Sequence, residues 1–451
     1  MEQNPQMVLN NSKMVGRNQN PEMPSLQTYT KSDQNELTVL YHILGRPNIS
    51  RTELAKHTGL SPACIGGIVN RLLSKGLVVE SGRTSSALGR KPVSLLVRND
   101  AAHLLGVDIG SYMLRVIVTD LLGRHIYKTE TESRLSEGRQ RVLDRTFHAV
   151  QKAVCDSGVP KSHIKGIGVA HSGVVDSENG LVLSYPRPGQ MAEWKNVPLR
   201  DIFEEQFGLP AMIEDSTRTR AVAEKHFGLG INLSDFFYIS VGVGIGAAIF
   251  IDGKLYRGPG GLAGEFGHMT VDEDGPLCSC GNYGCLETVA SCAAIIQAVR
   301  GALQQGVDSK VYELANGDLD RITIEMIVQA VRENDSLAFR VLDEAVSHIG
   351  VALADVANLL NPRVVIFGGP LFQQAPEFLL QPLRRVVKQR ALEKAANEME
   401  LKVSSLGSEA AALGAAHLVS EEIIESLFQE KMERPTDQGR LPGACLGADA
   451  L

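Results

Sequence analysis

The sequence lacks a long, uninterrupted hydrophobic run. Its longest apolar stretch covers residues 236–250 and is broken by Gly242, Gly244 and Gly246. A membrane-spanning helix needs about 20 consecutive apolar residues, so we expect no membrane insertion. A basic segment followed by an apolar one, as in a secretory signal, is also missing from residues 1–25. This polar, Asn-rich stretch predicts a disordered lead, and we expect a cytoplasmic protein.

Cysteines are few, at seven in 451 residues, and their number is odd. Disulfide-stabilised secreted domains carry an even number of cysteines at regular spacings. Here Cys64, Cys155 and Cys445 are far apart in the sequence. The scarcity and the scatter argue against a disulfide framework and favour a reducing compartment. The length predicts two or three domains.

Three further cysteines lie within eight residues, at Cys278, Cys280 and Cys285, and His268 lies shortly upstream. Three thiolates and one imidazole can complete the tetrahedral shell of a structural Zn²⁺ ion. A disulfide is one alternative, but Cys278 and Cys280 are too close to bridge comfortably and would leave the third cysteine unpaired. Free thiols are the other alternative. We predict that His268 and the three cysteines bind zinc.

The net charge of −7 is unevenly distributed. Residues 1–100 carry 12 Lys and Arg against 7 Asp and Glu, a net charge of +5, so the remaining residues carry −12. A basic segment attached to an acidic body is typical of a protein whose one end binds a polyanion. Ordinary solvated surface charge would give the same totals, so charge alone does not decide.

The basic segment has the pattern of a helix-turn-helix. Apolar residues 37, 40, 41 and 44 predict a first helix that ends at residues 45–47. The sequence Ser-Arg-Thr-Glu at 50–53 is a capping box that opens a short helix over 52–57. After a turn at 58–60, Ser61 and Pro62 begin a longer helix. Its predicted buried positions are Ile65, Ile68, Val69, Leu72 and Leu73. Two helices joined by so short a turn, with the second one long, are helix-turn-helix geometry.

Two short strands, predicted at 77–80 and 93–97, flank a basic loop with Arg90 and Lys91 at its tip. This hairpin resembles the wing of a winged helix, and its cations could contact a phosphate backbone or a minor groove. A winged helix can instead contact protein, but the basic loop favours DNA. The candidate DNA-contacting residues are Ser61, Ala63, Gly66, Asn70, Arg71, Arg90 and Lys91.

Beyond residue 99 the pattern changes to alternating strands and helices. Apolar strands are predicted at 103–108, 114–120, 165–170, 211–215 and 363–367, and several of them end in Gly or Asp. Such alternation predicts an α/β fold whose ligands bind at the ends of the strands. The expected organisation is a winged helix-turn-helix domain at 26–98, an α/β domain at 101–420 and a flexible tail at 421–451.

From about residue 38 to residue 420, the chain resembles the ROK family of repressors, open reading frames and sugar kinases. The strongest matches are Gly-Glu-Phe-Gly-His at 264–268 and Cys-Ser-Cys-Gly-Asn-Tyr-Gly-Cys-Leu-Glu at 278–287. The resemblance implies an actin-like, hexokinase-like fold of two α/β lobes with a sugar cleft between them. The N-terminal domain is similar to that of the repressor branch, the xylose and N-acetylglucosamine repressor-like proteins. The sugar kinases of the family normally lack it.

The resemblance also implies a sugar site. Asp215 corresponds to the Asp of the kinases' Asn-Asp pair, which acts as the catalytic base, and Glu214 replaces the Asn. A sugar presents hydroxyls in fixed directions, so carboxylates and an imidazole can recognise it. His268 would bind zinc through one nitrogen and face the ligand with the other. The implied sugar-binding residues are Ser172, Gly173, Asp215, Glu265, His268 and Glu287.

The chain departs from the kinases where they bind ATP. Family kinases carry Asp-x-Gly-Gly-Thr to hold the phosphates and magnesium, whereas residues 108–112 read Asp-Ile-Gly-Ser-Tyr. The second phosphate loop, expected as Gly-Thr-Gly, reads Gly-Val-Gly at 242–244. Positioned phosphates and metal carry most of the catalysis of phosphoryl transfer, so we expect no enzyme activity.

The sequence therefore predicts a sugar-responsive transcriptional regulator, most simply a repressor that binds operator DNA as a homodimer or homotetramer. Some family members respond to a sugar-transport protein, and such a partner remains open here. A second hypothesis is an ATP-dependent sugar kinase with an added DNA-binding domain, in which Asp215 would be catalytic. A third is a zinc-dependent scaffold that binds no small ligand.

Overall fold

The computed structural model describes residues 30–44, 46, 48–83, 93–98, 100, 102–185 and 193–433. The chain divides into two compact units, residues 1–97 and residues 98–451. Within the described ranges, no helix combines the length and the apolar character needed to cross a membrane.

The first unit is a winged helix-turn-helix. Its elements are α1 (Lys31–Leu44), β1 (Ile49–Ser50), α2 (Arg51–Thr58), α3 (Pro62–Ser74), β2 (Val78–Arg83) and β3 (Val93–Val97). The predicted capping box is confirmed, since the Ser50 side chain accepts from the Glu53 backbone while the Glu53 carboxylate accepts from Ser50. The strands form an antiparallel sheet in the order β1-β3-β2. Sequence reasoning missed β1, which has only two residues. The tip of the wing, with Arg90 and Lys91, lies outside the described residues.

Helix α3 packs through Ile65, Ile68, Val69 and Leu72, as predicted. Leu73, also predicted to be buried, is only half-buried. A buried carboxylate reinforces the packing, because Glu36 of α1 accepts from Arg71 at 2.9 Å and from Lys75 at 2.6 Å. Arg71 therefore has a structural partner inside the unit.

The second unit consists of two lobes, and the first lobe is built on a five-stranded sheet. The elements of the first lobe are β4 (His103–Ile109), β5 (Met113–Asp120), β6 (His125–Glu132), α4 (Arg139–Asp156), β7 (Ile164–His171), β8 (Val174–Asp176), β9 (Leu181–Ser184), α5 (Leu199–Phe207), β10 (Ala211–Asp215) and α6 (Ser216–Phe227). The sheet order is β10-β7-β4-β5-β6, and β8 pairs with β9 separately.

A second five-stranded sheet follows. This second lobe comprises β11 (Phe236–Val241), β12 (Ile245–Ile251), β13 (Lys254–Tyr256), α7 (Leu286–Ala290), α8 (Cys292–Gln304), α9 (Lys310–Leu314), α10 (Ile324–Arg332), α11 (Ser336–Leu360), β14 (Val364–Gly368), α12 (Pro370–Gln374), α13 (Pro376–Arg390), α14 (Glu393–Glu398), β15 (Glu400–Val403) and α15 (Ala410–Glu433). The sheet order is β13-β12-β11-β14-β15.

The two sheets share one topology. In each, three strands pair antiparallel in sequence order, and two later strands add in parallel beside the first of them. The repeat confirms the predicted two-lobed α/β fold. Parallel strands β4, β7 and β10 end at one edge of their sheet, and β11 and β14 do so in theirs, so loops at these ends can form a shared binding site.

Helix α15 returns to the first lobe and packs on α6, β4 and β7. The contact is close because β4 and β7 carry glycine there. A Cβ on Gly106 would lie 2.0 Å from the Ala412 carbonyl oxygen, and one on Gly168 would lie 1.8 Å from that of Ala415. Side chains at these two positions would force the helix off the sheet.

A flexible tail was predicted from residue 421. Helix α15 instead continues as far as Glu433. Its buried residues explain why, since they recur at helical spacing: Ile423, Ile424, Leu427 and Phe428. Residues 434–451 lie outside the described part of the chain.

Candidate functional site

A cavity of about 360 Å³ opens in the second unit, where the ends of the parallel strands from both lobes meet. All six residues implied as sugar-binding line it: Ser172, Gly173, Asp215, Glu265, His268 and Glu287. They come from segments up to 115 residues apart in the sequence, and the fold brings them together around one cavity.

Asp215 ends β10 and caps α6. Its carboxylate accepts from the backbone nitrogens of Thr217 and Arg218, at 2.8 and 3.0 Å. Burial raises the pKa of Asp215 to about 6; Glu214 and Glu265 add to the rise, whereas Arg218 opposes it. The carboxyl group is therefore near its titration midpoint at mildly acidic pH, and its ionised form can accept from a ligand hydroxyl.

His268 connects the cavity to the cysteine loop. Its Nδ1 lies 3.5 Å from Cys278 Sγ, and its Nε2 lies 3.9 Å from a carboxylate oxygen of Glu265. One ring nitrogen thus faces a cysteine sulfur and the other faces Glu265 at the cavity. The metal-binding and sugar-binding roles that the family resemblance implied for this residue stay predictions.

Glu287 makes a second connection between loop and cavity. It lies in α7, which begins directly after Cys285, and its carboxylate accepts from the Ile245 backbone nitrogen at 2.9 Å. Glu287 therefore links the end of the cysteine loop to the cavity and to the start of β12.

The first lobe contributes the loop after β7. Ser172 Oγ donates to the Ile109 carbonyl at 3.0 Å, and the Gly173 amide donates to His171 Nδ1 at 2.9 Å. Burial lowers the pKa of His171 to about 3, so its imidazole stays neutral and can accept this bond. Ser172 and Gly173 are thus held by backbone and by a neutral ring.

The cysteine loop can hold a metal ion. One ligand atom from each of His268, Cys278, Cys280 and Cys285 lies within 4.8 Å of the others. The Cys280 and Cys285 sulfurs are 3.7 Å apart, whereas a disulfide requires about 2.05 Å. Tetrahedral zinc would place two sulfurs about 3.8 Å apart and a sulfur and an imidazole nitrogen about 3.6 Å apart. The observed distances of 3.7 and 3.5 Å fit that geometry.

Arg115 and Arg220, which also line the cavity, face a buried carboxylate. Their guanidinium nitrogens lie 3.5 and 3.6 Å from the same oxygen of Asp108. Burial raises the pKa of Asp108, and the two arginines oppose the rise. Tyr112 also lines the cavity, with a side chain that is 65% exposed.

Sequence reasoning missed both arginines. One signal was available, because the β4–β5 hairpin register places Asp108 directly opposite Arg115. Arg220 lies about one turn into α6 from its first residue, and only the packing of that helix brings it to the cavity.

The candidate DNA surface lies on α3 in the first unit. Ala63, Gly67 and Asn70 are exposed, whereas Gly66 is half-buried. Ser61 caps the helix by accepting from the Cys64 backbone nitrogen. Gly67 was not among the predicted contacts, although the helical period places it on the same face as Ala63 and Asn70. A Cβ at Gly66 would have no neighbour within 4 Å.

Residues 104–422 match the ROK family. The chain belongs to this family. It is 34% identical over 390 residues to a xylose repressor of Caldicellulosiruptor bescii, a match that covers 86% of this chain and 96% of the relative. The predicted membership of the family's repressor branch is therefore confirmed.

Two solved structures match different shares of the chain. A ROK family transcriptional regulator, a homologue of the E. coli MLC protein, matches with a TM-score of 0.73 and 30% identity, covering 89% of this chain and 98% of that one. A ROK glucokinase from Streptomyces griseus, in complex with glucose and AMPPNP, has a TM-score of 0.63 and 30% identity. It covers 70% of this chain and 99% of that one.

Metal content tests the cysteine loop. We expect the purified protein to carry one metal ion per chain and Cys280→Ser to lose it, because a hydroxyl is a poor substitute for a thiolate ligand. The readout is elemental analysis after dialysis. Cys155→Ser is the matched control, since Cys155 is an exposed free thiol far from the loop. Metal-free wild-type protein, or equal metal in the two variants, would contradict the assignment.

Proposed function

We propose that this protein is a sugar-responsive transcriptional repressor that binds operator DNA through its first unit. The observation that carries the proposal is the combination, in one chain, of a winged helix-turn-helix and a ROK cavity lined by carboxylates and an imidazole. A relative named a xylose repressor aligns with 86% of the chain, which is more than the ROK region alone.

The ligand that fits the cavity is a neutral monosaccharide or a derivative of one. Asp215, Glu265 and Glu287 offer acceptors, and His268 can donate or accept. Such a site holds several hydroxyls at once and rejects analogues that leave its own groups unpaired. D-xylose, D-glucose and N-acetyl-D-glucosamine are the natural probes.

Kinase activity is the second candidate, and a glucokinase among the structural neighbours favours it. The phosphate end of the cavity argues against it. Asp108, at the position implied to hold magnesium and phosphates, is ion-paired to Arg115 and Arg220. Guanidinium groups at that distance compete with a divalent cation for the carboxylate. We therefore propose that the cavity senses sugar without phosphorylating it.

Zinc is the metal that we assign to the cysteine loop, since three thiolates and one imidazole in a tetrahedral arrangement are its usual structural ligands. When bound, the ion would fix the loop. His268 and Glu287 would then be held in place at the cavity from that side.

Sugar and operator would act on each other through a coupling free energy, typically 1–3 kcal/mol. A sugar that releases the repressor must bind more weakly when the operator is bound. We further propose that the protein acts in the cytoplasm as a homodimer or homotetramer, as palindromic operators require. A sugar-transport protein is a further proposed partner.

The central experiment is sugar-induced release of DNA. An operator fragment selected by binding to wild-type protein is titrated with D-xylose, D-glucose and N-acetyl-D-glucosamine, and release is followed by fluorescence anisotropy. We expect one sugar to release wild-type protein but not Asp215→Asn, which should still bind DNA. Phosphorylated sugar formed from Mg-ATP, and lost in Asp215→Asn, would establish the kinase instead.

The pH dependence of sugar binding follows from Asp215. With a pKa of about 6 in the free protein, its carboxylate is mostly protonated at pH 5 and mostly ionised at pH 7.5. A ligand hydroxyl donates a stronger, charge-assisted hydrogen bond to the ionised form, so sugar affinity should rise between these pH values, by up to about tenfold. Calorimetric titration measures this rise, and Asp215→Asn should bind weakly with a flat profile. An affinity that falls as the pH rises would contradict this role.

The exposed face of α3 is tested by Gly67→Ala. Alanine favours a helix over glycine by about 1 kcal/mol, and a Cβ at Gly67 would meet only Arg71 Nη1, at 3.7 Å. The variant should therefore be at least as stable as wild type but bind the operator more weakly, because the added methyl group lies on the DNA-facing side. Gly301→Ala in α8 is the control, as its Cβ would also have open space. Equal operator affinity in the two variants would show that this face of α3 does not contact DNA.

A further inference from the structure

The loop between β13 and the single 3-10 turn at Phe266–His268 forms one wall of the cavity. It spans residues 257–265, and three of its glycines, Gly258, Gly261 and Gly264, have positive φ angles of 71°, 74° and 102°. Ordering a chain segment costs conformational entropy, and glycine loses the most freedom. A loop of this composition holds Glu265 in one place only if other contacts fix it.

Both ends of this loop are fixed by one carboxylate. At its start, Arg257 Nε donates to Glu214 Oε2 at 2.7 Å. Near its end, the Ala263 carbonyl accepts from Arg218 Nη2 at 3.0 Å, and the same guanidinium donates through Nη1 to Glu214 Oε1 at 3.3 Å. The Ala263 amide also donates to the Arg257 carbonyl and closes the loop.

Glu214 is itself held rigidly. It is 1% exposed, and its Oε1 also accepts from Ser177 Oγ at 2.7 Å and from the Asp215 amide at 2.9 Å. A carboxylate can accept all four bonds, whereas an amide side chain at this position has a single acceptor oxygen. Glu214 belongs to the first lobe and Arg257 follows a strand of the second, so the ion pair joins the two lobes.

Asp215, Arg218 and Glu265 line the cavity. Within the described part of the chain, Glu214 and Arg257 are not among the lining residues. The Arg257 side chain is 38% exposed, and an ion pair with a solvent-exposed partner contributes little net stability. A role in positioning accounts better for this one.

We propose that Glu214 and Arg257 are positioning residues for the ligand: their ion pair holds the loop that places Glu265 opposite Asp215. The proposal rests on the sugar-binding function proposed above. It assigns sugar affinity to a pair of side chains that do not touch the sugar.

The test compares Arg257→Met with Arg257→Lys. Methionine keeps an unbranched apolar stem but removes the charged guanidinium group, and Glu214 keeps its other three donors, so the fold should persist. We expect Arg257→Met to weaken sugar binding at least about tenfold, the equivalent of ordering one further residue. Lysine can still pair with Glu214 and should restore part of the affinity. The ligand is whichever of D-xylose, D-glucose and N-acetyl-D-glucosamine wild type binds, measured by calorimetry.

A double-mutant cycle shows whether Arg257 acts through Glu265. In a Glu265→Gln background, Arg257→Met should weaken sugar binding little further, because the carboxylate that Arg257 positions has already been altered. Arg332→Met is the control, because Arg332 is similarly exposed and pairs with Glu377 elsewhere in the second lobe. Operator affinity and Tm should match in Arg257→Met and Arg332→Met.

The outcomes separate this inference from the function on which it rests. If wild type binds none of the sugars, the proposed function fails. If wild type binds a sugar but Arg257→Met binds it as well as Arg332→Met does, or if the two substitutions are additive with Glu265→Gln, the positioning role is wrong.

Discussion

The imidazole of His268 lies between the cysteine loop and the cavity, with Nδ1 3.5 Å from Cys278 Sγ and Nε2 3.9 Å from the Glu265 carboxylate. Because the ring is rigid, a metal on one nitrogen determines where the other points. Glu287 depends on the same loop, since its helix begins directly after Cys285. Two of the cavity's polar groups are therefore placed by the loop rather than by the sheets.

The remaining groups are placed by the repeated sheets and by charge pairs between them. Asp215 lies at the end of β10, where its lobe faces the other, and the Glu214–Arg257 pair brings the loop of Glu265 to meet it. The Asp108 carboxylate is engaged by guanidinium groups. The chain's own arginines thus pair with the carboxylate at the end of the unit's first strand, while Asp215, Glu265 and His268 line the cavity.

Local features were predictable from the residues themselves, whereas the long-range assembly of the cavity was implied only by the family resemblance. Cys278, Cys280 and Cys285 lie within one turn-rich loop, so their spacing alone predicted a metal cluster, and the capping box at 50–53 predicted the start of α2. The Glu214–Arg257 pair joins residues that no local pattern relates, because only the meeting of two lobes brings them together. Similarly, the tail was predicted to begin too early because the helix past residue 420 owes its order to packing on the first lobe.

The central claim is that sugar in the cavity and operator on the first unit influence each other's binding. The most direct measurement is calorimetric titration of the sugar into free protein and into protein saturated with operator. The account predicts that the operator raises the Kd for the sugar by the same factor by which the sugar raises the Kd for the operator, typically 5–150-fold. A sugar Kd that is identical in the two titrations would contradict it.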